Sequence, residues 1–243
     1  MTDVSGKLFV IEGLDGSGKT IQSGKLIARL REEMPDQKIM ARDFPRYGHP
    51  SSYAVRKYLQ REEFTKGYRR ELRESPYSPS LVYAIDRMDA AHSLEGEDGP
   101  NMTDFLSSGG IIVSNRYTQS NIGYQASKIS DPAERVRFIK WLYDMEYNLL
   151  EIPRPTVVVF IDLPPTLARQ AKLAQLTRKG KKPDQHEADP QTFFRAQMAY
   201  REAAQLFMGE WCVIDMMVAD GSCRKTVEEV SENVYQGIKP FLY

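Results

Sequence analysis

The stretch Gly13-Leu14-Asp15-Gly16-Ser17-Gly18-Lys19-Thr20 decides how this chain folds. It matches the pattern G-x-x-x-x-G-K-[ST], in which glycines let the backbone turn its N–H groups toward phosphate oxygens. The apolar residues 8–11 precede the stretch and predict a strand, and Ile27, Leu30 and Met34 follow it at helical spacing. This order predicts a phosphate-binding loop, because the N-terminus of the following helix adds partial positive charge.

Two side chains of the loop suit the phosphates of a nucleoside triphosphate. Lys19 can reach the outer phosphates, and the Thr20 hydroxyl can bind Mg²⁺. We therefore predict that residues 13–20 contact the nucleotide and that Mg²⁺ is held by Thr20, mostly through water and phosphates. The loop by itself does not indicate which reaction follows.

The rest of the chain alternates between short apolar strands and helices. Helix starts are predicted where Asp131 precedes Pro132 and where Asp189 precedes Pro190, because an N-cap aspartate is followed by proline at the first helical position. Strands alternating with helices predict an α/β fold of the P-loop NTPase type, with a five-stranded parallel sheet, helices on both faces and a mobile basic lid. The predicted strands are residues 7–12, 38–44, 110–115, 156–162 and 211–216.

Length and composition limit the other possibilities. The chain has 243 residues, and we expect a single domain over 1–243 with a lid insert at about 175–189. Lysine plus arginine total 33, as do aspartate plus glutamate, which argues against a general nucleic-acid or membrane binder. The two cysteines are too few for a disulfide framework, and no apolar run reaches the roughly 18 residues of a membrane span. We expect a soluble, cytoplasmic protein.

Three groups of basic residues suit a small-molecule kinase. The predicted lid has four cations between positions 178 and 182, and such a loop could neutralise charge as a phosphoryl group moves. Arg116 follows a buried strand at the edge where ligands of open α/β sheets bind. Tyr83 and Arg87 are four residues apart on a predicted helix and could sandwich a planar base. Plainer interpretations are a solvated loop, a surface arginine, and a core tyrosine beside an exposed, ion-paired arginine.

Five segments, in this order, together resemble the thymidylate kinase family, the P-loop kinases that convert dTMP to dTDP with ATP. They are residues 9–20 (FVIEGLDGSGKT), 44–46 (FPR), 83–87 (YAIDR), 115–125 (NRYTQSNIGYQ) and 161–168 (IDLPPTLA). The basic lid follows where the family has one. The resemblance implies ATP and dTMP as substrates, Mg²⁺ as cofactor and a homodimer.

The resemblance also implies roles for the matched residues. The catalytic residues would be Lys19, Arg116 and Arg178, with Asp15 meeting the sugar 3′-hydroxyl of the acceptor. Tyr83 and Arg87 would hold the thymine ring, Gln125 would read a ring edge and Tyr124 would pack near the sugar. The implied substrate-binding set is Asp15, Phe44, Pro45, Arg46, Tyr83, Arg87, Arg116, Ser120, Asn121, Tyr124 and Gln125.

Two positions depart from the family's pattern. Asn115 stands where the family usually has aspartate, and an amide would order a Mg²⁺ shell less well than a carboxylate. Gly16 stands where some members carry an arginine, so this chain resembles the members that supply the catalytic arginine from the lid, here Arg178.

Alternatives remain at this level. The same loop and lid would serve a kinase for another deoxynucleotide or for a deoxynucleoside, and a non-catalytic nucleotide-binding protein would also need the loop. The helix predicted over residues 132–150 has a wide apolar face, which could lie in the core or in a homodimer interface.

Overall fold

A computed structural model describes residues 6–59, 75–94, 99–183, 187, 189–219, 221 and 223–242. Its centre is a sheet of five parallel strands in the order β2-β3-β1-β4-β5, which confirms the predicted fold class. Each predicted strand agrees with the structure to within a residue at either end. The strands are β1 (Lys7–Gly13), β2 (Ile39–Asp43), β3 (Ile111–Asn115), β4 (Val157–Asp162) and β5 (Trp211–Asp215).

Helices cover both faces of this sheet. Nine α-helices are present in the part of the chain that the structure describes: α1 (Lys19–Glu33), α2 (Tyr53–Leu59), α3 (Tyr77–His92), α4 (Met102–Ser107), α5 (Gln119–Gln125), α6 (Pro132–Tyr143), α7 (Pro165–Arg178), α8 (Pro190–Leu206) and α9 (Val227–Ile238).

Alternate residues of β1 enter two hydrophobic cores, one on each face of the sheet. Leu8 and Val10 belong to one core, and Phe9 and Ile11 belong to the other. This follows from the two-residue period of a strand, which sends successive side chains to opposite faces. Burying each of these side chains contributes about 1.5–3 kcal/mol, so the strand is firmly held where the phosphate loop leaves it.

The parallel register brings three strand ends to one edge of the sheet. Ile11 pairs with Asn115, and Asn115 pairs with Asp43, so β1, β3 and β2 end side by side. In a parallel sheet this carboxyl edge is where ligands bind. The loop after β1 and Arg116 after β3 therefore lie close together.

The predicted helix starts at Asp131 and Asp189 are confirmed. The Asp131 carboxylate accepts a hydrogen bond from the Ala133 amide at 3.1 Å, and Asp189 accepts one from the Gln191 amide at 3.0 Å. Both are N-caps that satisfy a helix-terminal N–H group.

The helix predicted over residues 132–150 divides into α6 and a π-helical turn, Asp144–Leu149. Its apolar face lies in the core, where Phe138, Leu142 and Tyr147 are buried. The core interpretation of this face therefore holds.

No helix in the described part of the chain combines the length and the apolar character needed to cross a membrane. Of the predicted lid segment, residues 175–178 form the end of α7, and residues 184–186 and 188 lie outside the described residues.

Candidate active site

A cavity of about 540 Å³ opens at the carboxyl edge of the sheet. It is lined from several directions, by the phosphate loop, the end of β2, α3, α5, α7 and the segment before α9. Most of the predicted site residues line it, namely Asp15, Gly16, Ser17, Gly18, Lys19, Thr20, Phe44, Pro45, Tyr83, Arg87, Arg116, Ser120, Asn121, Tyr124, Gln125 and Arg178. The predicted residues outside this lining are Gly13, Leu14 and Arg46.

The phosphate loop depends on glycine at Gly16. Its φ is +87°, and an added Cβ would lie 2.2 Å from the carbonyl oxygen of Ala168 in α7. Only glycine tolerates both the left-handed backbone and this close approach. Leu14, in contrast, is fully buried in the core and anchors the loop.

Lys19 is buried at the start of α1. Its ammonium group donates hydrogen bonds to the carbonyl oxygens of Gly13 at 2.9 Å and Leu14 at 2.8 Å, and lies 3.7 Å from the Asp15 carboxylate. Burial and the nearby Arg116 lower the pKa of Lys19 to about 7, while the Asp15 and Glu12 carboxylates act in the opposite direction. The Lys19 side chain therefore lies against the phosphate loop, where it is expected to bind the outer phosphates of the nucleotide.

Arg116 has a left-handed backbone, with φ of 70°, directly after β3. A non-glycine residue in this region is strained, and such strain is concentrated at functional sites. Its amide donates to the Ile11 carbonyl at 3.0 Å, and its guanidinium forms an ion pair with Asp15. Burial by itself raises the pKa of Asp15, but Arg116 and Lys19 outweigh it and hold that pKa below its usual value.

Glu12 supports the Arg116 loop from below and was not predicted as a site residue. Its fully buried carboxylate accepts hydrogen bonds from the Tyr117 amide at 2.8 Å, the Ser120 hydroxyl at 2.9 Å and the Tyr200 hydroxyl at 3.1 Å. Burial raises the pKa of Glu12. A charged residue inside an otherwise apolar strand was the signal that could have identified it.

A polar pocket lies at the α3 and α5 side of the cavity. Arg87 forms a two-pronged ion pair with Glu146 and is only 2% exposed, so it is ion-paired, as the plainer interpretation expected, but it is buried. Gln125 is fully buried, and both its amide nitrogen and its amide oxygen have no hydrogen-bond partner among the described residues. Leaving such groups unpaired costs about 1–3 kcal/mol, so this amide is available to a polar ligand.

Arg46 lies outside the cavity lining described above. Its guanidinium is held by Asp86 at 3.0 Å and Asp89 at 2.5 Å, away from the lining described above. The sequence could not show this, because the partners lie 40 and 43 residues further along the chain. This arrangement assigns Arg46 to supporting the loop after β2, while its neighbours Phe44 and Pro45 reach the cavity.

The cavity side of α7 contributes residues that sequence reasoning missed. Lys172, Gln175 and Arg178 all line the cavity, and Lys172 pairs with Glu187 at 2.9 Å. Their spacing of three residues places them on one face of a helix, which was the available signal. Arg178, at the end of α7, is exposed and lies on this face.

Thr20, Asn115 and Asp43 form an oxygen-rich corner of the cavity. The Asn115 amide nitrogen donates to the Thr20 hydroxyl at 3.2 Å, and the buried Asn115 amide oxygen has no partner among the described residues. Asp43 lies beside Asn115 on the neighbouring strand and also lines the cavity. Hydroxyl, amide and carboxylate oxygens are the ligands that suit Mg²⁺.

Comparisons with known proteins agree on one family. The family model described as thymidylate kinase matches residues 11–229 of this chain. Thymidylate kinase from Mycobacterium tuberculosis is 28% identical over 223 residues, which is 90% of this chain and 96% of that protein. Thymidylate kinase from Danio rerio is 24% identical over 229 residues, covering 94% of this chain and 91% of that protein.

A solved structure has the same fold. Thymidylate kinase from Candida albicans superimposes with a TM-score of 0.65 at 21% identity, covering 97% of this chain and 92% of that chain.

Proposed function

This chain belongs to the thymidylate kinase family, whose reaction is the phosphorylation of dTMP to dTDP, and we propose how its residues carry out that transfer with ATP as the donor. The observation that carries the proposal is a single cavity lined by the phosphate loop, by Arg116 and by the pocket around Arg87 and Gln125. The phosphate loop binds the donor, the pocket around Arg87 and Gln125 binds the acceptor base, and Arg116 lies between them.

The donor triphosphate lies on residues 13–20. The backbone N–H groups of the loop and the N-terminus of α1 stabilise its phosphates, and Lys19 leaves the loop carbonyls to pair with them. Arg178, at the exposed end of α7, reaches the transferred phosphoryl group from the other side.

The acceptor lies across the Asp15–Arg116 ion pair. Arg116 binds the acceptor phosphate, and Asp15 accepts a hydrogen bond from the sugar 3′-hydroxyl. The Tyr124 hydroxyl accepts a hydrogen bond from the Asp15 amide at 3.1 Å, which supports a position of the tyrosine beside the sugar. Tyr83, Arg87, Asn121 and Gln125 surround the base.

The transfer needs charge neutralisation and alignment. An oxygen of the dTMP phosphate forms a bond to the γ-phosphorus, while the bond from that phosphorus to the bridging oxygen breaks and its electron pair leaves on ADP. No general base is needed, because the attacking phosphate is already an anion. Lys19, Arg116 and Arg178 stabilise the charge on the transferred group.

The oxygen-rich corner fits the Mg²⁺ that the family implies. Thr20 and Asn115, with its unpartnered amide oxygen, would hold the ion, and Asp43 supplies the carboxylate that Asn115 does not. Bound there, Mg²⁺ would neutralise part of the charge on the phosphates.

A panel of acceptors tests the proposal. We expect turnover with ATP and dTMP to exceed that with dUMP, dCMP, dGMP and thymidine. Arg116→Ala and Arg178→Ala should each lower kcat by about 100-fold or more, the effect of removing one transition-state donor. Arg31→Ala is the matched control, because Arg31 is exposed and does not line the described cavity. Near-normal rates in both arginine variants would refute these roles, and preference for another acceptor would favour a different kinase.

We also propose a homodimer formed through α3. Leu81, Ile85 and Met88 follow one another on an exposed face of this helix and are 37–48% exposed. We expect Ile85→Asp to halve the mass measured by light scattering, whereas Leu94→Asp, at an apolar position 92% exposed outside this row, should leave it unchanged. A monomeric wild-type protein would refute the proposal.

We also propose that residues 1–243 form a single catalytic domain and that the protein is cytoplasmic. The first strand, β1, and the last helix, α9, contribute to the same one of the two cores, and Cys212 and Cys223 are free thiols, which suits a reducing compartment.

A further inference from the structure

We propose that Glu146 positions Arg87 to read the acceptor base. Its carboxylate occupies two of the guanidinium's nitrogens, so that the third is the one left to meet the ligand. Glu146 is not among the described residues that line the cavity, so it acts through Arg87. This inference rests on the proposed function, because it places Arg87 in the acceptor pocket.

The geometry leaves little freedom to the arginine. Glu146 is 0% exposed in the π-helical turn, and its two oxygens accept hydrogen bonds from Arg87 Nε at 2.5 Å and Nη2 at 2.6 Å. Arg87 Nη1 has a long contact of 3.4 Å to the Tyr117 carbonyl oxygen. A two-pronged arginine–carboxylate pair fixes the plane of the guanidinium. The Tyr117 carbonyl can take one of the two Nη1 N–H groups, so the other is available to a ligand in the cavity that Arg87 lines.

The same carboxylate is itself held by two further donors. Thr118 donates its hydroxyl to Glu146 at 2.8 Å, and the Asn121 amide nitrogen lies 3.4 Å from the other oxygen. Asn121 also lines the cavity, but its amide nitrogen lies closer to the Ser80 carbonyl oxygen, at 3.2 Å, so Glu146 acts on the base pocket through Arg87. π-Helical turns are found frequently at functional sites, which fits this role of the turn.

The opposite charges of Arg87 and Glu146 explain which kind of ligand the pocket selects. A free arginine in this pocket would attract a phosphate, but the Glu146 carboxylate neutralises it, so the pocket suits an uncharged ring. Arg87 Nη1 can only donate, so it pairs with a ring carbonyl and opposes an exocyclic amino group. The pair therefore favours an oxo base over an amino base, and selection against the amino base arises from two donors facing each other.

The substitution Glu146→Gln tests this role, because a glutamine amide cannot accept both hydrogen bonds. We expect KM for dTMP to rise about tenfold or more, the effect of losing a charged hydrogen-bond pair, with kcat changed less than about threefold because the base lies away from the reacting phosphates. KM for ATP should stay unchanged, and the preference for dTMP over dCMP should fall about tenfold. Glu202→Gln is the matched control, since it removes a similar pair, with Arg135, outside the cavity lining.

Two further variants keep the test decisive. In an Arg87→Ala background, adding Glu146→Gln should not raise KM for dTMP further, because the carboxylate acts through the arginine. If Glu146→Gln does not fold, Thr118→Val loosens the same carboxylate and should raise KM for dTMP while leaving KM for ATP unchanged. Wild-type turnover of dTMP with unchanged KM and unchanged base preference in these variants would overturn the inference alone. Absence of dTMP turnover in the wild type would instead overturn the proposed function.

Discussion

The substitution Gly16→Ala tests whether the phosphate loop is clamped against α7. Gly16 has a φ of +87°, and a residue with a Cβ pays roughly 1–2 kcal/mol to adopt such a backbone. The added Cβ would also lie 2.2 Å from the Ala168 carbonyl oxygen and 2.9 Å from the Lys172 amide nitrogen. Ordinary contacts begin at 3.4 Å, so the loop or the helix must move by about 1 Å.

The magnitude follows from these two costs. Forcing extra volume into a tightly packed site costs about 1–3 kcal/mol. Added to the backbone cost, Gly16→Ala should lower the free energy of unfolding by about 2–5 kcal/mol. Gly18→Ala is a matched control, because Gly18 has a φ of +93° but its added Cβ would meet nothing within 4 Å. It should lose only the backbone cost, about 1–2 kcal/mol.

Urea denaturation of the ligand-free proteins measures both variants. We expect Gly16→Ala to be less stable than Gly18→Ala by about 1 kcal/mol or more, which is the overpacking cost. Equal losses in the two variants would refute the reasoning, because they would leave the backbone as the whole cost. Gly16→Ala should also lower kcat, since moving α7 moves the cavity residues Lys172 and Arg178.

Three other predictions follow from the site. The pKa of Lys19 is lowered to about 7, and bound phosphate favours the charged form of this lysine. ATP affinity measured by calorimetry should therefore fall from pH 6 to pH 9 relative to that of Lys19→Arg, in which the side chain stays charged. Parallel pH dependence in the two proteins would contradict this. Asp43→Asn should weaken Mn²⁺ binding to the ATP complex, measured by electron paramagnetic resonance, by about tenfold, and unchanged binding would exclude Asp43 from the metal's surroundings. Arg46→Ala should lower the free energy of unfolding by about 3 kcal/mol, because it leaves the Asp86 carboxylate, 1% exposed, without its ion pair. Adding Asp86→Asn should recover part of that loss, and a further loss instead would show that the pair is not its source.

Local patterns were enough to predict most of the fold. The β4 strand is apolar from Val157 to Ile161 because helices cover both of its faces, and the N-caps at Asp131 and Asp189 are determined by the next few residues. The phosphate loop was equally evident, because its conformation depends on glycines within eight residues. Such interactions join residues that are close together in the chain, so a single sequence is enough to predict them.

Ion pairs between residues that are distant in the chain could not be predicted from the sequence. Arg87 and Glu146 are 59 residues apart, and no local pattern links a helix residue to a π-helical turn that packs beside it only in the folded state. The ion pair of Arg46 could not be predicted for the same reason, since an arginine in a matched motif does not indicate that Asp86 holds it. Sequence patterns located the basic residues, whereas the carboxylates that orient them became evident only from the structure.

Because Gly16 contacts the first turn of α7, a movement of the phosphate loop would tilt this helix and displace its C-terminal end. Gly16 touches Ala168 in the first turn, and Arg178 lies ten residues beyond, about 15 Å along the axis at 1.5 Å per residue. A tilt of about 10° about the first turn would swing Arg178 through roughly 3 Å, the length of a hydrogen bond. A small displacement of the loop on binding phosphates would therefore produce a larger displacement at the end of α7, where Arg178 lies.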